Sequence, residues 1–368
     1  MTGPSLYKYL IRPVLFKGEP EKTHEQTLAL LSRMERFERL LARWFLVRDP
    51  RLEARVGPLA LRNPIGLAAG FDKNAVAVRP LAALGFGFIE IGAVTALAQP
   101  GNPKPRLYRL PEDQALINRL GFNNDGAPTI ARRLAALRDN GRPLRVPLGI
   151  NIGRSKIVQT KDAAADFLSA FAQLYPHGDF FTLNVSSPNT AGLRELQEKR
   201  LLEELLSAVQ EKNRELAGRA GLTPKPILVK IAPDMEFSQA DDVAEVALQA
   251  KLSGIVATNA TAFLRETLVS RVDQPGGLSG KPLRARATAF VRHLYKQLGA
   301  RLPIIGVGGV FSAADAYEKI KAGASAVQIY TGFIYEGPAA VRKINRGLLR
   351  LLERDGLKSI GEAVGLEN

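Results

Sequence analysis

The sequence predicts an α/β fold, a closed (β/α)8 barrel with a short helical N-terminal extension. Three observations predict it. Eight β-rich, near-continuously apolar runs recur from residue 65 onward, as expected of parallel strands buried on both faces. Amphipathic helical patterns separate most of them. The chain has 368 residues, a length that one such barrel with insertions reaches. A doubly wound open sheet is the alternative that the same alternation allows.

The elements follow in order. Residues 4–17, PSLYKYLIRPVLFK, mix large apolar side chains with Lys8, Arg12 and Lys17. Pro13 predicts an end or kink there. After GEPEK, THEQTLALLSRMERF opens with Thr23 as N-cap and Gln26 three residues on. Leu28, Leu31 and Met34 share one face. A third helical pattern runs to about Leu46. Short amphipathic pieces of this kind either pack on a core or lie in a membrane interface. A boundary near 45–50 separates residues 1–45 from a barrel unit, 46–368.

EARVGPLALRNPIG reads as a short hairpin. The eight strand runs are IGLAAG (65–70), GFIEIG (87–92), VPLGINIG (146–153), FFTLNVS (180–186), PILVKIA (226–232), GIVATN (254–259), PIIGVGG (303–309) and AVQIYTG (326–332). LLEELLSAVQEKNREL is helical and precedes residue 226. Ser238 predicts the N-cap of the next helix, and Ser312 with Asp315 that of a later one. The long insertion at 93–145 predicts a lid or extra strands.

Cysteine is absent, which excludes disulfides, thiolate metal sites and a cysteine base. The formal charge is +15, spread along the chain. It suits a basic solvated surface, an anionic lipid surface, nucleic acid or small anions. No apolar run reaches a membrane span of roughly 18–20 residues, and Lys8, Arg12 and Lys17 interrupt any signal-peptide pattern. His24, His177 and His293 lack metal-ligand spacing; His177, in YPHGD, reads as a turn residue.

A barrel keeps its chemistry at the C-terminal ends of its strands. Asp72, Lys73 and Asn74 fall there after the first strand, and Asn151 ends the third. NVSSPNT (184–190) ends the fourth, Lys230 lies in the fifth and Asn259 ends the sixth. Gly306, Gly308 and Gly309 end the seventh, and Tyr330, Thr331 and Gly332 the eighth. GVGG before a capped helix is a phosphate cradle. Lys73 and Lys230 at the same mouth suggest a ligand with more negative charge than one phosphate. Asn118, Asn184, Asn189 and Asn259 together suit a flat heterocycle of alternating C=O and N–H groups. Ser186 and Ser187 have no histidine near them in sequence and GxSxG is absent, which argues against a hydrolase triad. A serine can still accept a proton from an acidified C–H bond.

Taken together, GLAAGFDKN, INRLGFNN, NVSSPNTAGLR, LVKIAPD, GLSGKPL, IIGVGGV and AVQIYTG resemble the dihydroorotate dehydrogenase family, in its membrane-associated, quinone-using class 2. The resemblance covers nearly the whole chain, N-terminal helices included. It implies an FMN-containing TIM barrel with a membrane-associating N-terminal extension. The implied reaction is oxidation of dihydroorotate to orotate in pyrimidine synthesis, with electrons passed to ubiquinone or menaquinone. It implies Ser187, second serine of SSPNT, as the base. Ala68, Ala69, Gly70, Thr95 and Thr258 are expected near the flavin, with Asn151, Asn184 and Lys230 bonded to it. Gly280, Gly308, Gly309, Tyr330 and Thr331 are expected at its ring edge and phosphate. Lys73, Asn118, Asn184, Asn189 and Asn259 are expected to hold substrate, and Phe122 and Thr190 to line the base. His24, Arg109 and Tyr330 resemble residues of a quinone tunnel. Residues 1–45 are expected to serve the quinone step alone, at the cytoplasmic face of the inner membrane, in a monomer that binds no nucleic acid and no metal. One departure is TNAT, where the family usually has TNTT: Ala260 replaces a threonine that contacts the pyrimidine.

Overall fold

The structure, a computed structural model, describes residues 6–139, 141–266, 268–272 and 274–368. Pro4 and Ser5, the start of the first predicted helix, lie outside them. The predicted hairpin is present as β1 (Ala54–Val56) and β2 (Leu59–Leu61), paired antiparallel. Then follow β3 (Ile65–Leu67), β4 (Phe88–Val94), β5 (Leu107–Leu110), β6 (Ala115–Asn118), β7 (Leu148–Ile152), β8 (Phe180–Asn184) and β9 (Ile227–Ile231). The last four are β10 (Gly254–Ala257), β11 (Gly277–Gly280), β12 (Ile304–Val307) and β13 (Ala326–Ile329).

Eight of these, in the order β3-β4-β7-β8-β9-β10-β12-β13, close a parallel barrel. The open-sheet alternative is overturned by the seam: β13 pairs back to β3, with Val327 opposite Ile65. Every residue of the eight strands is buried, which is why each run is so apolar. Below the mouth Phe88 and Phe180 fill the barrel, their ring centroids 6.2 Å apart. Gly66 and Gly149 make room for them: a Cβ at either would lie within about 2.2 Å of a ring carbon.

The helices are α1 (Arg12–Lys17), α2 (Pro20–Arg33), α3 (Glu38–Phe45), α4 (Val78–Ala83), α5 (Gly126–Asp139) and α6 (Ala163–Leu174). They continue as α7 (Lys199–Ala220), α8 (Phe237–Gln249), α9 (Arg284–Leu298), α10 (Ala313–Lys321), α11 (Thr331–Glu336) and α12 (Ala340–Asp355). Ser312 and Asp315 form the predicted capping box of α10. Two other caps differ from expectation. Glu19, not Thr23, caps α2 through the N–H groups of Glu21 and Lys22; Pro20, at the first helical position, is the sequence signal for that start. Glu236, not Ser238, caps α8, in a capping box with Gln239. Pro13 does not end its helix. It sits at the start of α1, where a π-helical turn, Tyr7–Ile11, changes to α geometry.

The 93–145 insertion supplies extra strands. β5 and β6 join β11 in an antiparallel sheet of order β11-β6-β5, with Asn118 opposite Gly277. The N-terminal segment docks beside it. Tyr7 donates to the Ile334 carbonyl at 2.6 Å and Arg12 to that of Tyr335 at 3.1 Å. Among the described residues no helix is long and apolar enough to cross a membrane.

Candidate active site

The strand ends surround a cavity that opens to solvent, with β6 and β11 along one side. Ser187 lines it from the loop after β8. It is 6% exposed, and its Oγ accepts the Asn189 N–H at 3.3 Å. His177 lies at the opposite end of β8, so no imidazole reaches Ser187 along this strand.

The predicted amides meet here. Asn118, Asn184, Asn189 and Asn259 all line the cavity. Asn189 donates to the Asn118 carbonyl at 3.1 Å and side-chain oxygen at 3.2 Å. Asn259 donates to Ser186 Oγ at 2.9 Å, and Ser186 donates to Asn184 Oδ1 at 2.9 Å. The amides therefore fix one another's orientation before any ligand arrives. Phe122 lines the cavity in a left-handed conformation, φ 53°, rare for a bulky residue. Its ring packs on Gly153, and Asn124 donates to its carbonyl at 2.8 Å. Local strain of this kind concentrates at functional sites.

The floor is a polar layer inside the barrel. Glu90, fully buried, accepts from Asn151 Nδ2 at 2.7 Å and also from Gln328. Asn184 donates to Asn151 Oδ1 at 3.0 Å. Lys230, opposite Asn184 in register, lines the cavity with no protein hydrogen bond or ion pair among the described residues. Burial pulls Lys230 below the usual lysine range, against the charge of Glu90. Gln328 Oε1, also at the cavity, is buried and has no hydrogen-bond partner among the described residues. An unmet acceptor and an unmet cation at one cavity call for a ligand that donates to one and is anionic at the other.

Ala68, Ala69, Gly70, Thr258, Gly280, Gly308, Gly309, Tyr330 and Thr331, the residues expected near a flavin, line the same cavity. A Cβ at Gly309, φ 70°, would lie 2.5 Å from Arg284 Cα, so α9 starts hard against this turn and only glycine fits. Thr331 Oγ1 lies 2.9 Å from Ser279 Oγ. Thr95, Asn151 and Thr190 stand behind the lining: Thr95 accepts from Asn124 at 2.7 Å, and the Thr190 carbonyl accepts from Leu193. Sequence reading missed Glu90, Gln328 and Ser279. A lone acid inside an apolar strand, FIEIG, was the one available signal for Glu90.

Lys73 lines the cavity with no ion pair among the described residues. Burial lowers its pKa to about 8; Glu21, Glu25 and Asp72 raise it and Arg106 lowers it. The residues expected at a quinone tunnel sit between barrel and N-terminal segment. His24 Nε2 is 2.7 Å from the Phe71 carbonyl, and Phe71 packs edge-on against both His24 and Tyr330. Burial first, and then the charge of Lys73, lower His24 to about 4. Arg109 donates to the Gly18 carbonyl at 2.8 Å and covers the Phe16 ring. Among the described residues no group of His, Asp or Glu is placed to hold a metal ion.

An enzyme of the α/β-barrel class is what this fold and mouth define, because the reactive side chains stand where such barrels keep them. The dihydroorotate dehydrogenase family model matches residues 51–352. The dihydroorotate dehydrogenase (quinone) of Gloeobacter violaceus is 50% identical over 364 residues, 98% of each chain. That of Chloroflexus aurantiacus is 48% identical over 355 residues, 93% of this chain and 96% of its own. The crystal structure of DHODH from Eimeria tenella in complex with ferulenol superposes with TM-score 0.86 at 36% identity, covering 95% of both chains. The chain belongs to the dihydroorotate dehydrogenase family and is thus a flavin-dependent oxidoreductase of pyrimidine biosynthesis.

Proposed function

We propose that the protein oxidises dihydroorotate to orotate in the barrel mouth, with Ser187 as base and FMN as the flavin, and passes the electrons to a membrane quinone. The observation that carries this reading is the meeting of Ser187, four carboxamides bonded in two pairs, and two lysines with no ion pair among the described residues, all in one cavity. FMN fits the remaining groups: the Gly308–Gly309 turn and Thr331 suit its phosphate, and Lys230 and Gln328 Oε1 have partners to gain from its ring. The chemistry that bound FMN supplies is hydride acceptance from C6 and onward release of both electrons.

The chain's own residues do the rest. Lys73 neutralises the substrate carboxylate. The carboxamides of Asn118, Asn184, Asn189 and Asn259 hold the ring and polarise the carbonyl next to C5, so that the C5 proton becomes acidic. Ser187 Oγ takes that proton while passing its own to water. Lys230 offsets negative charge at the floor. Thr95, Asn151 and Thr190 act from behind, by fixing the orientation of their neighbours.

Residues 1–45 form a quinone-facing unit on the barrel of 46–368, bounded by His24, Arg109 and Tyr330. Their surface carries exposed large apolar side chains: Leu6, Tyr9, Leu10, Val14, Leu30 and Trp44 are each more than 60% exposed. With Arg33, Arg36 and Arg43 nearby, these side chains suit the surface of an anionic membrane. Release of the bound flavin followed by chromatography tests the cofactor. FMN in near one-to-one ratio is expected; flavin adenine dinucleotide in its place contradicts the reading.

A further inference from the structure

Glu21 lies on α2, outside the barrel, yet it is 4% exposed. Its carboxylate takes Arg106 NH2 at 2.6 Å and Arg106 Nε at 3.0 Å, with Lys104 Nζ at 3.5 Å. Arg106 is 5% exposed, and its NH1 donates to the carbonyls of Pro100 and Asn102, each at 2.6 Å. Asn102 in turn donates to the Asn189 carbonyl at 3.4 Å, two residues from Ser187. Three residues along α2, His24 grips the Phe71 carbonyl at 2.7 Å, two residues from Lys73. One helix of the N-terminal segment thus reaches the loop that carries Lys73 directly and the loop that carries Ser187 and Asn189 through Arg106 and Asn102.

We infer that Glu21 is a positioning residue for the dihydroorotate half-reaction: the Glu21–Arg106 pair fixes the 100–106 and 187–189 loops, and the Glu21 carboxylate is a buried negative charge that acts on the Lys73 ammonium. This rests on the reading of Lys73 as partner of the substrate carboxylate. It extends the role expected of residues 1–45, which on sequence served quinone alone. The charged and titratable groups acting on Lys73 are Glu21, Glu25, Arg106, Asp72 and its neighbour His24. Burial pushes the Glu21 carboxyl up, but the hydrogen bonds and charge of Arg106, with Lys104 and Lys73, outweigh it and hold it below the usual range. Glu21 is therefore anionic wherever Lys73 titrates. Arg106 opposes Glu21 at Lys73, so removing one or the other moves Lys73 in opposite senses.

The test is calorimetric titration of the full-length, flavin-loaded protein with orotate across pH. In the wild type, binding weakens as pH rises past the Lys73 midpoint. In Glu21→Gln that limb moves to lower pH, with binding near the midpoint roughly 3- to 10-fold weaker, the equivalent of about half to one pKa unit. In Arg106→Gln it moves to higher pH, and in Glu21→Asp it returns toward wild type. Glu25→Gln, on an exposed position of α2, moves it to lower pH by less, and decides the matter where the buried variants do not fold. Equal weakening at every pH in Glu21→Gln and Arg106→Gln, or an unmoved limb, overturns the electrostatic role. Wild-type binding by Lys73→Ala overturns the underlying reading of Lys73, and this inference with it.

Discussion

Glu90 Oε1 accepts a 2.7 Å hydrogen bond from Asn151 Nδ2 in the floor of the barrel, and the same Asn151 takes a 3.0 Å bond from Asn184 at the cavity. A buried carboxylate thereby sets which way the amides above it point. Removing it leaves Asn151 and Gln328 with amide hydrogens and no acceptor, and Lys230 without a counter-charge. Glu90→Leu is expected to cost about 3–5 kcal/mol of stability, the range for breaking buried charged networks. Chemical denaturation measures the loss, and fluorescence of released flavin is expected to show weaker retention at the same time.

Ser187→Ala removes the proton acceptor without touching the amide lattice, since Ser187 Oγ only accepts from the Asn189 N–H. Turnover at neutral pH is expected to fall by about 10²–10⁴-fold, the usual contribution of a positioned base. The protein should remain folded and yellow. Steady-state rates beside a visible spectrum check both.

Ala260→Thr restores a hydroxyl at the cavity wall. Ala260 packs close to Gly277, where an added Cβ would lie 2.8 Å from its own, so the new γ atoms must turn toward the cavity. A regained hydrogen bond contributes about 0.5–1.5 kcal/mol, so dihydroorotate is expected to bind about 2- to 10-fold more tightly. The KM of the variant, with kcat nearly unchanged, measures it.

His24 supplies a pH-dependent contact between α2 and the barrel. Its folded pKa, about 4, is depressed from 6.5. Between those values the unfolded or undocked state binds more protons, so docking is lost as pH falls through this window and is intact above it. After correction for the intrinsic slowing of amide exchange at lower pH, the protection factors of α2 amides are expected to fall from pH 6.5 toward 4 in the wild type. Replacing His24 by Phe should flatten the dependence.

Deleting residues 1–45 removes Glu21 and His24 along with the exposed apolar side chains. Quinone reduction is expected to fail, and orotate binding to weaken as well. Binding titrations on the truncated protein separate the two losses.

The barrel was legible because its strands are buried on both faces, so each run is near-continuously apolar and lacks the periodicity of an amphipathic element. The mouth was legible for a related reason: polar residues such as Asn184, Asn259 and Lys230 interrupt or end those runs where a barrel puts its chemistry. What escaped was non-local. β11, GLSG, has no strand pattern of its own and forms against β6, with a bridge from Leu278 to Thr261 on its other side. Gln328 and Glu90 each look like single polar residues in apolar strands, and only closure of the barrel brings them into contact. Glu21 sits in the charged run GEPEK, where nothing distinguishes the one buried carboxylate from its exposed neighbours. Glu19 took the cap that Thr23 was expected to hold because the Pro20 φ already begins the helix.

The most direct measurement is anaerobic rapid mixing of the purified protein with dihydroorotate, in wild type and Ser187→Ala side by side. The flavin band of the wild type is expected to bleach within one turnover with orotate formed in equal amount, and that of the alanine variant to persist on the same timescale. A wild-type band that dihydroorotate leaves unchanged, or bleaching at equal rates in both proteins, contradicts the account.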